Sequence, residues 1–206
     1  MKHLGTRTLL GHILYRLSFS QRSFLVIVAT SRLTRDDVIE SFCNESKTHC
    51  FRGSETNVLQ RYYQCAETYN FKHIVRLTAD NPFTDIEELD RLIDLHMESG
   101  ADYSHSLPFL PVGVGAEIFS FQALAVSTCE GIEPHHLEHV DEFILENPSR
   151  FKTAMLEVPE MKRYPNLRLT VDNKTDYQKA CAIMELTRVA EQSGIEEAIR
   201  FCLHSV

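Results

Sequence analysis

The sequence predicts an α/β fold in which helices flank a mostly parallel, mixed central sheet. Strand-like and helix-like stretches alternate at intervals of roughly 25–35 residues, the size of a βα unit. The run FLVIVAT (residues 24–30) is apolar throughout, as in a strand buried on both faces. A hexapeptide, RLTADN (residues 76–81), returns as RLTVDN (residues 168–173) after a second apolar run.

Helical periodicity, capping residues and short β-branched runs predict the other elements. Strands are expected at residues 49–52, 73–78 and 116–121, and an amphipathic helix over the first 20 residues. The later helices have candidate caps at Thr34, at Ser54, in a Thr84/Glu87 capping box and in a Thr175/Gln178 box. The spacing places Val38, Met97 and Leu186 on buried helix faces.

Length and composition indicate one globular domain, residues 1–206. The chain is 43% hydrophobic and 24% charged, which is ordinary for a protein with a buried core. A net charge of −8 and the lack of a basic run argue against nucleic acid or an anionic membrane as the main partner. No apolar stretch approaches the roughly 20 residues that span a bilayer. Six cysteines without a CxxC pair indicate reduced core residues of a cytoplasmic protein.

Two aspartates, Asp80 and Asp172, take the same position in the two hexapeptides, just after strand-like runs. A turn, or the dipole of the following helix, explains either one alone. Both together favour a functional role, because ligands of open α/β sheets bind outside the carboxyl ends of the strands. Mg²⁺ takes one or two carboxylates, while phosphate oxygens and water fill its other positions. We therefore predict that Asp80 and Asp172 hold Mg²⁺ in a nucleotide-handling site.

A Gly-Ser turn after Arg52 supplies a second candidate. Backbone amides and the Ser54 hydroxyl at a helix start suit an anion or a base edge, and a plain N-cap is the alternative. Arg61 lies further along the same helix, where a solvated surface charge is the alternative. His135, His136 and His139 lack the cysteine pattern of a zinc site, which is not predicted.

These residues lie in segments that resemble a known family. The segments are FRGSETNVLQRYYQCAETY, HIVRLTADNPFTDIEELDRLIDLHMESGADY, AEIFSFQAL, LEHV and LRLTVDNKTDY. In order and spacing they resemble the cytidylyltransferases of spore-coat polysaccharide biosynthesis and, more distantly, the CMP-sugar synthetases that activate sialic acid and ketodeoxyoctonate. The resemblance implies a Rossmann-like three-layer nucleotidyltransferase fold, a homodimer, and transfer of CMP from CTP to a sugar with release of pyrophosphate.

The resemblance also implies roles for individual residues. Asp80 and Asp172 fall on the metal-binding, catalytic aspartates of the family. The other implied contacts are to the nucleotide, from Arg52, Ser54, Arg61 and Asp80, and to the sugar, from Glu117, Glu138 and His139. His139 is either a base for the attacking hydroxyl or a structural histidine.

The sequence departs from the family at its start. The family opens with a strand and an R-x-P-G-K loop that holds the CTP phosphates, and the printed residues contain neither. Residues 2–12 resemble the segment after that loop, so Lys2 is not its lysine. Leu137 and Gly115 also replace an arginine and an acidic residue common in the family. We expect residues 24–30 to lack a strand partner on one edge, and this chain to be an impaired catalyst.

Two alternative functions remain open. One is a non-catalytic nucleotide-binding or scaffold protein that retains the fold. The other is a nucleotidyltransferase that acts on an isoprenoid-precursor alcohol phosphate, against which the RGSE…LQRYY segment argues.

Overall fold

Strands and helices alternate along most of the chain in the computed structural model, which describes residues 2–204 except the side chain of Ala190. The strands are β1 (His3–Leu4), β2 (Arg7–Thr8), β3 (Ile27–Ser31), β4 (His49–Gly53), β5 (His73–Arg76), β6 (Tyr103–His105), β7 (Glu117–Ser120) and β8 (Thr153–Met155). The helices are α1 (Leu9–Leu17), α2 (Asp37–Glu45), α3 (Val58–Thr68), α4 (Ile86–Ser99), α5 (Phe121–Glu130), α6 (Pro134–Glu138), α7 (Glu142–Glu146), α8 (Lys174–Leu186) and α9 (Glu196–His204).

The strands form three separate ladders within residues 2–204. β1 and β2 make a short antiparallel pair, and β3 pairs with β4 in parallel. The third ladder has the order β5-β7-β6-β8, in which β7 runs antiparallel to both neighbours and β6 is parallel to β8. The predicted α/β class with a mixed sheet is therefore confirmed.

A gap separates β3 from β5. Within the described residues no ladder joins these two strands, so each has one edge without a partner. A cavity of about 740 Å³ lies between the two strands, and we call it the inter-strand cavity. Residues 23–29 line it on one side and residues 71–79 on the other. The expectation that this edge of residues 24–30 lacks a strand partner is confirmed.

Side chains of the four-stranded sheet alternate between two apolar cores. On β7, Ile118 packs into a core with side chains of α4, α8 and α9, while Phe119 packs into a second core with side chains of α3, α5 and α7. Because successive side chains of a strand point to opposite faces, this alternation gives three layers. Burying one such side chain contributes roughly 1.5–3 kcal/mol to stability.

Three helices begin at a different cap from the predicted one. The caps are Asn57, Asp85 and Asn173, in place of Ser54, Thr84 and Thr175. In each case a carboxylate or amide oxygen accepts the backbone N–H three residues ahead. The Thr84 hydroxyl instead donates to the Asn81 carbonyl. Thr34 opens a short 3₁₀ turn, and α2 begins at Asp37 behind it.

In each of three helices, one residue that was predicted to be buried is exposed. Val38, Met97 and Leu186 are exposed, because the stripe of each helix that contacts the core is narrower than its run of apolar residues. Separately, within residues 2–204 no helix combines the length and the apolar character that crossing a membrane requires.

Candidate functional site

The ends of the two repeated hexapeptides lie side by side. The second copy forms a parallel bridge to Val112, with the Leu169 N–H donating to the Val112 carbonyl over 2.8 Å. The Val171 N–H donates to the Asp80 carbonyl over 2.9 Å. This bond joins the residue before Asp172 to Asp80 itself, so the fold brings the two predicted metal aspartates together.

Asp80 has a carboxylate oxygen without a partner. Its Oδ1 is buried, and no donor within the described residues reaches it; the Oδ1 of Asn81 is in the same situation. A buried oxygen without a hydrogen bond is costly, so an arriving cation or donor is favoured at this point.

Gly113 is the close neighbour of both copies. Its φ is +89°, and a Cβ built there would lie 2.6 Å from the Thr170 amide nitrogen and 2.8 Å from Asn81 Oδ1. A side chain at this position would therefore push the two copies apart. Sequence analysis missed this role, although the Pro/Gly-rich character of residues 108–115 was the available signal.

Asp172 is exposed and already paired. It forms a salt bridge with Arg168, whose Nε also lies 3.4 Å from Asp176 Oδ2. Asp176 accepts the backbone N–H groups of Asp172 and Asn173, which holds the turn at the start of α8. Asp172 is thus placed by α8 and neutralised by a nearby arginine.

Three other predicted residues meet at the inter-strand cavity. Arg61, Glu138 and His139 all line it, together with the residues that lead from β5 towards Asp80. Arg61 donates to the Ser54 carbonyl over 2.5 Å, while its buried Nε has no partner within the described part of the chain. The side chains of Glu138 and His139 form no hydrogen bond with any described residue. The cavity wall therefore places the guanidinium of Arg61 alongside the carboxyl group of Glu138 and the imidazole of His139.

Arg52 and Ser54 lie at the end of β4 but do not line this cavity. The Arg52 guanidinium makes four hydrogen bonds, to the Ser31 and Leu33 carbonyls and to the carboxylates of Asp37 and Glu40. In this structure the Arg52 side chain therefore connects the end of β3 to α2. Ser54 Oγ accepts the Asn57 N–H over 3.0 Å, which leaves its hydroxyl proton free to donate.

Glu117 lies inside a buried network. One carboxylate oxygen pairs with Arg76, and the other accepts the Tyr103 hydroxyl over 2.7 Å. Burial raises the pKa of Glu117, while Arg76 opposes the rise. Burial likewise raises the pKa of the Tyr103 phenol, which keeps its proton on the oxygen to donate.

Arg76 is a site residue that sequence analysis missed. It lines the inter-strand cavity, and its buried Nε has no partner within residues 2–204. Glu117 thus acts on the cavity through Arg76, whose place in the first hexapeptide was the available signal.

A histidine cluster lies apart from this site. His135 and His136 each contact one oxygen of Glu146 over 2.8 Å, which joins α6 to α7. The Glu133 N–H donates to His136 Nδ1, so the neutral ring carries its proton on Nε2. In that tautomer the His136 Nε2–H donates to Glu146. The contact is therefore better described as a hydrogen bond between two helices than as a metal site.

Comparison with known proteins decides the family. The sequence model of the cytidylyltransferase family matches residues 1–201. The chain belongs to the cytidylyltransferase family. It is 35% identical over 190 residues to the spore coat polysaccharide biosynthesis protein SpsF of Bacillus subtilis, which covers 90% of the chain and 79% of that relative.

Two solved structures support the same fold. A cytidylyltransferase from Leptospira borgpetersenii superimposes with a TM-score of 0.90 at 28% identity, over 98% of this chain and 86% of that one. A CMP:2-keto-3-deoxy-manno-octonic acid synthetase in complex with CTP has a TM-score of 0.63 at 12% identity, over 89% and 90% of the two chains. The predicted Rossmann-like nucleotidyltransferase fold is confirmed.

The donor set of this cytidylyltransferase-family chain fits a hard divalent cation. Asp80 presents a buried oxygen that lacks a donor, and Asp172 lies on the adjoining loop. Oxygen ligands of this kind suit Mg²⁺. The Arg168 side chain competes for Asp172, so cation binding there requires Arg168 to shift.

Proposed function

We propose that this protein transfers the cytidylyl group of CTP to a sugar hydroxyl for surface polysaccharide biosynthesis, releasing pyrophosphate. The observation that carries the proposal is the unpartnered Asp80 oxygen, on a residue that is hydrogen-bonded to the neighbour of Asp172 and directly follows Ala79 in the wall of the cavity lined by Arg61, Glu138 and His139. A cation site beside groups that position the phosphates and the attacking hydroxyl is what in-line phosphoryl transfer requires.

Asp80 and Asp172 would hold the Mg²⁺ ion in this proposal. When bound, the ion neutralises charge on the phosphate oxygens and orients them. Arg61 contacts the triphosphate through its unpartnered Nε, and Arg52 and Ser54 remain proposed contacts through one guanidinium N–H and one hydroxyl.

The chemistry is a single displacement. The sugar oxygen bonds to the α-phosphorus of CTP as the bond from that phosphorus to the pyrophosphate oxygen breaks. The hydroxyl proton passes to His139, whose ring forms no hydrogen bond with any described residue. Glu138 contacts the sugar beside it, and Glu117 acts by holding Arg76 at the cavity wall.

A thermal-shift titration with CTP, UTP, ATP and GTP, each with and without Mg²⁺, tests nucleotide binding. We expect CTP with Mg²⁺ to raise Tm by about 5 °C near saturation, and Asp80→Ala or Asp172→Ala to abolish that rise. Asp94→Ala, on the outer face of α4, is the matched control and should keep it. Equal shifts with all four nucleotides, or a rise that survives in Asp80→Ala, would overturn the proposal.

We extend the proposal to the rate of catalysis by residues 1–206. These residues contain no R-x-P-G-K segment, and removal of one comparable charge-stabilising donor costs roughly a hundred- to a thousandfold in rate. Pyrophosphate release by this polypeptide is therefore expected to be slow. Robust turnover with CTP, Mg²⁺ and a sugar would contradict this expectation.

A non-catalytic nucleotide-binding or scaffold role is the second candidate. The Arg168–Asp172 salt bridge favours it, because it occupies one of the two carboxylates that catalysis would use. CTP-dependent stabilisation without any pyrophosphate release, even from a chain extended upstream by the family's phosphate loop, would select this role.

Three further properties belong to the proposal. The chain forms one domain, which is supported by a family match that runs without a break over residues 1–201. It acts in the cytoplasm, consistent with six cysteines that are all free. It forms a homodimer, as the family resemblance implies, which sedimentation equilibrium would test.

A further inference from the structure

One carboxylate joins the two short helices α6 and α7. Glu146, the last residue of α7, lies 2.8 Å from His135 Nε2 through one oxygen and 2.8 Å from His136 Nε2 through the other. The centroids of the two imidazole rings are 4.2 Å apart, so one carboxylate reaches both. A carboxylate that accepts with both oxygens is fixed in orientation as well as in position. We call these three side chains the α6–α7 clasp.

His136 is the buried member of the clasp. Its side chain is 7% exposed, and its Nδ1 accepts the Glu133 N–H over 3.3 Å. The ring also forms a T-shaped contact with Phe143 of α7, with centroids 5.4 Å apart. Both ring nitrogens of His136 therefore have partners, and the ring contacts α7 directly as well as through Glu146.

Helix α6 depends on this clasp for its position. The helix has only five residues, and a helix of that length is not stable by itself. His136 is the one residue of α6 that is buried. Ile132, two residues before the helix, is 78% exposed, and the chain enters the apolar core only at Val140, after the helix. The α6–α7 clasp, more than apolar burial, therefore fixes α6.

The end of α6 carries two residues of the proposed sugar site. Glu138 is the last residue of the helix, and His139 follows it. Both line the inter-strand cavity, whereas the three clasp side chains, all within the described part of the chain, lie outside its wall. The His139 N–H donates to the His135 carbonyl over 2.8 Å. His135 thus bonds to Glu146 through its ring and to His139 through its backbone, so a displacement of the clasp moves the cavity wall.

We propose that Glu146 is a positioning residue for the acceptor sugar: through its two histidines it holds α6 so that Glu138 and His139 face the cavity. The inference rests on the proposed function, which assigns the sugar to these two residues. Glu146 itself contacts no substrate in this proposal. Its effect on the reaction is geometric, because a misplacement of about 1 Å can cost on the order of a hundredfold in rate.

Two variants of Glu146 separate the geometry of the clasp from its charge. Glu146→Ala removes both hydrogen bonds. Glu146→Gln keeps both, because its amide oxygen accepts the His136 Nε2–H while its NH₂ group donates to His135 Nε2. His135 then carries its ring proton on Nδ1, which forms no hydrogen bond with any described residue and belongs to a side chain that is 46% exposed.

Glu130→Ala is the matched control. Glu130 is 46% exposed, as Glu146 is, and it accepts two hydrogen bonds from Arg150 over 2.7 and 2.8 Å. This pair joins the end of α5 to the chain after α7 and does not include α6. Loss of an exposed carboxylate in the same region is thereby separated from loss of the clasp.

The test follows the His139 ring by NMR in the full chain with isotope-labelled histidine. Because turnover is expected to be slow, the probe is the exchange-inert, paramagnetic complex of chromium(III) with CTP, and the diamagnetic cobalt(III) complex is the blank. We expect bound chromium to broaden the His139 signal in the parent chain, in Glu146→Gln and in Glu130→Ala, and most of this broadening to be lost in Glu146→Ala. The His139 amide should exchange about tenfold faster in Glu146→Ala alone. His73, which lines the same cavity from β5, is the reference ring and should not differ among the four proteins.

The outcomes distinguish this inference from the proposed function. If chromium–CTP does not bind to the parent chain, or binds without broadening His139, the proposed function is overturned and the inference with it. If His139 is broadened in Glu146→Ala as in the parent, even with faster amide exchange, Glu146 only stabilises the helices and the inference alone is overturned. Loss of the broadening in Glu146→Gln or in Glu130→Ala would also overturn it, since the effect would then follow from charge or from a general loosening.

Discussion

The two hexapeptides share five of six letters but use their arginine and aspartate differently. In RLTADN, Arg76 pairs with Glu117, and their side chains are 19% and 5% exposed. In RLTVDN, Arg168 pairs with Asp172 of its own copy, and their side chains are 44% and 48% exposed. Asp80, the counterpart of Asp172, keeps a buried oxygen without a donor.

The difference arises from neighbouring strands and not from the repeated letters. The first copy leaves β5, which pairs along its length with β7 and so faces Glu117. In the described part of the chain, the second copy makes one isolated bridge, to Val112, and belongs to no strand ladder. An arginine near a buried acid becomes part of the core, whereas an arginine on an open loop pairs with the nearest exposed carboxylate. The arginine of the first copy thus belongs to a buried ion pair, whereas the arginine of the second copy belongs to an exposed one.

The largest expected effect is a difference in the free energy of unfolding between variants of the two arginines. Arg76→Ala should lower the free energy of unfolding by about 3–5 kcal/mol, because it leaves Glu117 buried without its partner. Arg168→Ala should cost no more than about 1 kcal/mol, because its pair is exposed. Urea denaturation of both variants measures this contrast. Equal losses would mean that the two pairs are energetically alike.

Gly113, between the two copies, should give the next effect. Gly113→Ala combines a strained φ with contacts under 3 Å to Thr170 and Asn81, so we expect a loss of about 3 kcal/mol. Gly100→Ala, at a φ of +59° in open space, is the control and should lose only about 1–2 kcal/mol. Matching losses for the two variants would show that the copies can separate without cost.

Acid should destabilise the region of the first copy. His96 contacts His73, the first residue of β5, and Ser104, and burial lowers the pKa of His96 to about 4. The neutral ring therefore contributes stability above its unfolded pKa of 6.5, and this contribution is lost as pH falls towards 4. We expect this loss to reach about 2 kcal/mol of unfolding free energy at pH 5.

Unfolding measured from pH 7 to pH 4 tests this dependence. His96→Gln should flatten the acid limb, whereas the exposed-residue variant His49→Gln should leave it unchanged. An acid limb that is equally steep in His96→Gln would assign the loss to other groups.

The smallest effect concerns the second copy. Arg168→Gln frees Asp172 and should tighten Mg²⁺-dependent binding of CTP about two- to fivefold, in line with the energy of an exposed ion pair. Calorimetric titration measures it, with Arg188→Gln as the control. Weaker binding in Arg168→Gln would indicate that Arg168 contacts the nucleotide directly.

The sequence by itself indicated the mixed α/β class, strands β3, β4, β5 and β7 and helices α2, α3, α4 and α8, and its repeated hexapeptide singled out Asp80 and Asp172. Each of these depends on periodicity within a short segment or on a repeated motif, so local information suffices. The roles of the candidate cavity residues Arg61, Glu138 and His139, and the unpaired edge of β3, were implied only by the family resemblance.

Tertiary structure alone decided the partners and the exact helix starts. Arg76 finds Glu117 across 41 residues of sequence, and Gly113 meets Asn81 and Thr170 from two other segments. The caps Asp85 and Asn173 differ from the predicted threonines by one or two residues, because the path of the preceding loop sets which oxygen reaches the free amides. Such choices depend on contacts between residues far apart in the chain, which no local pattern contains.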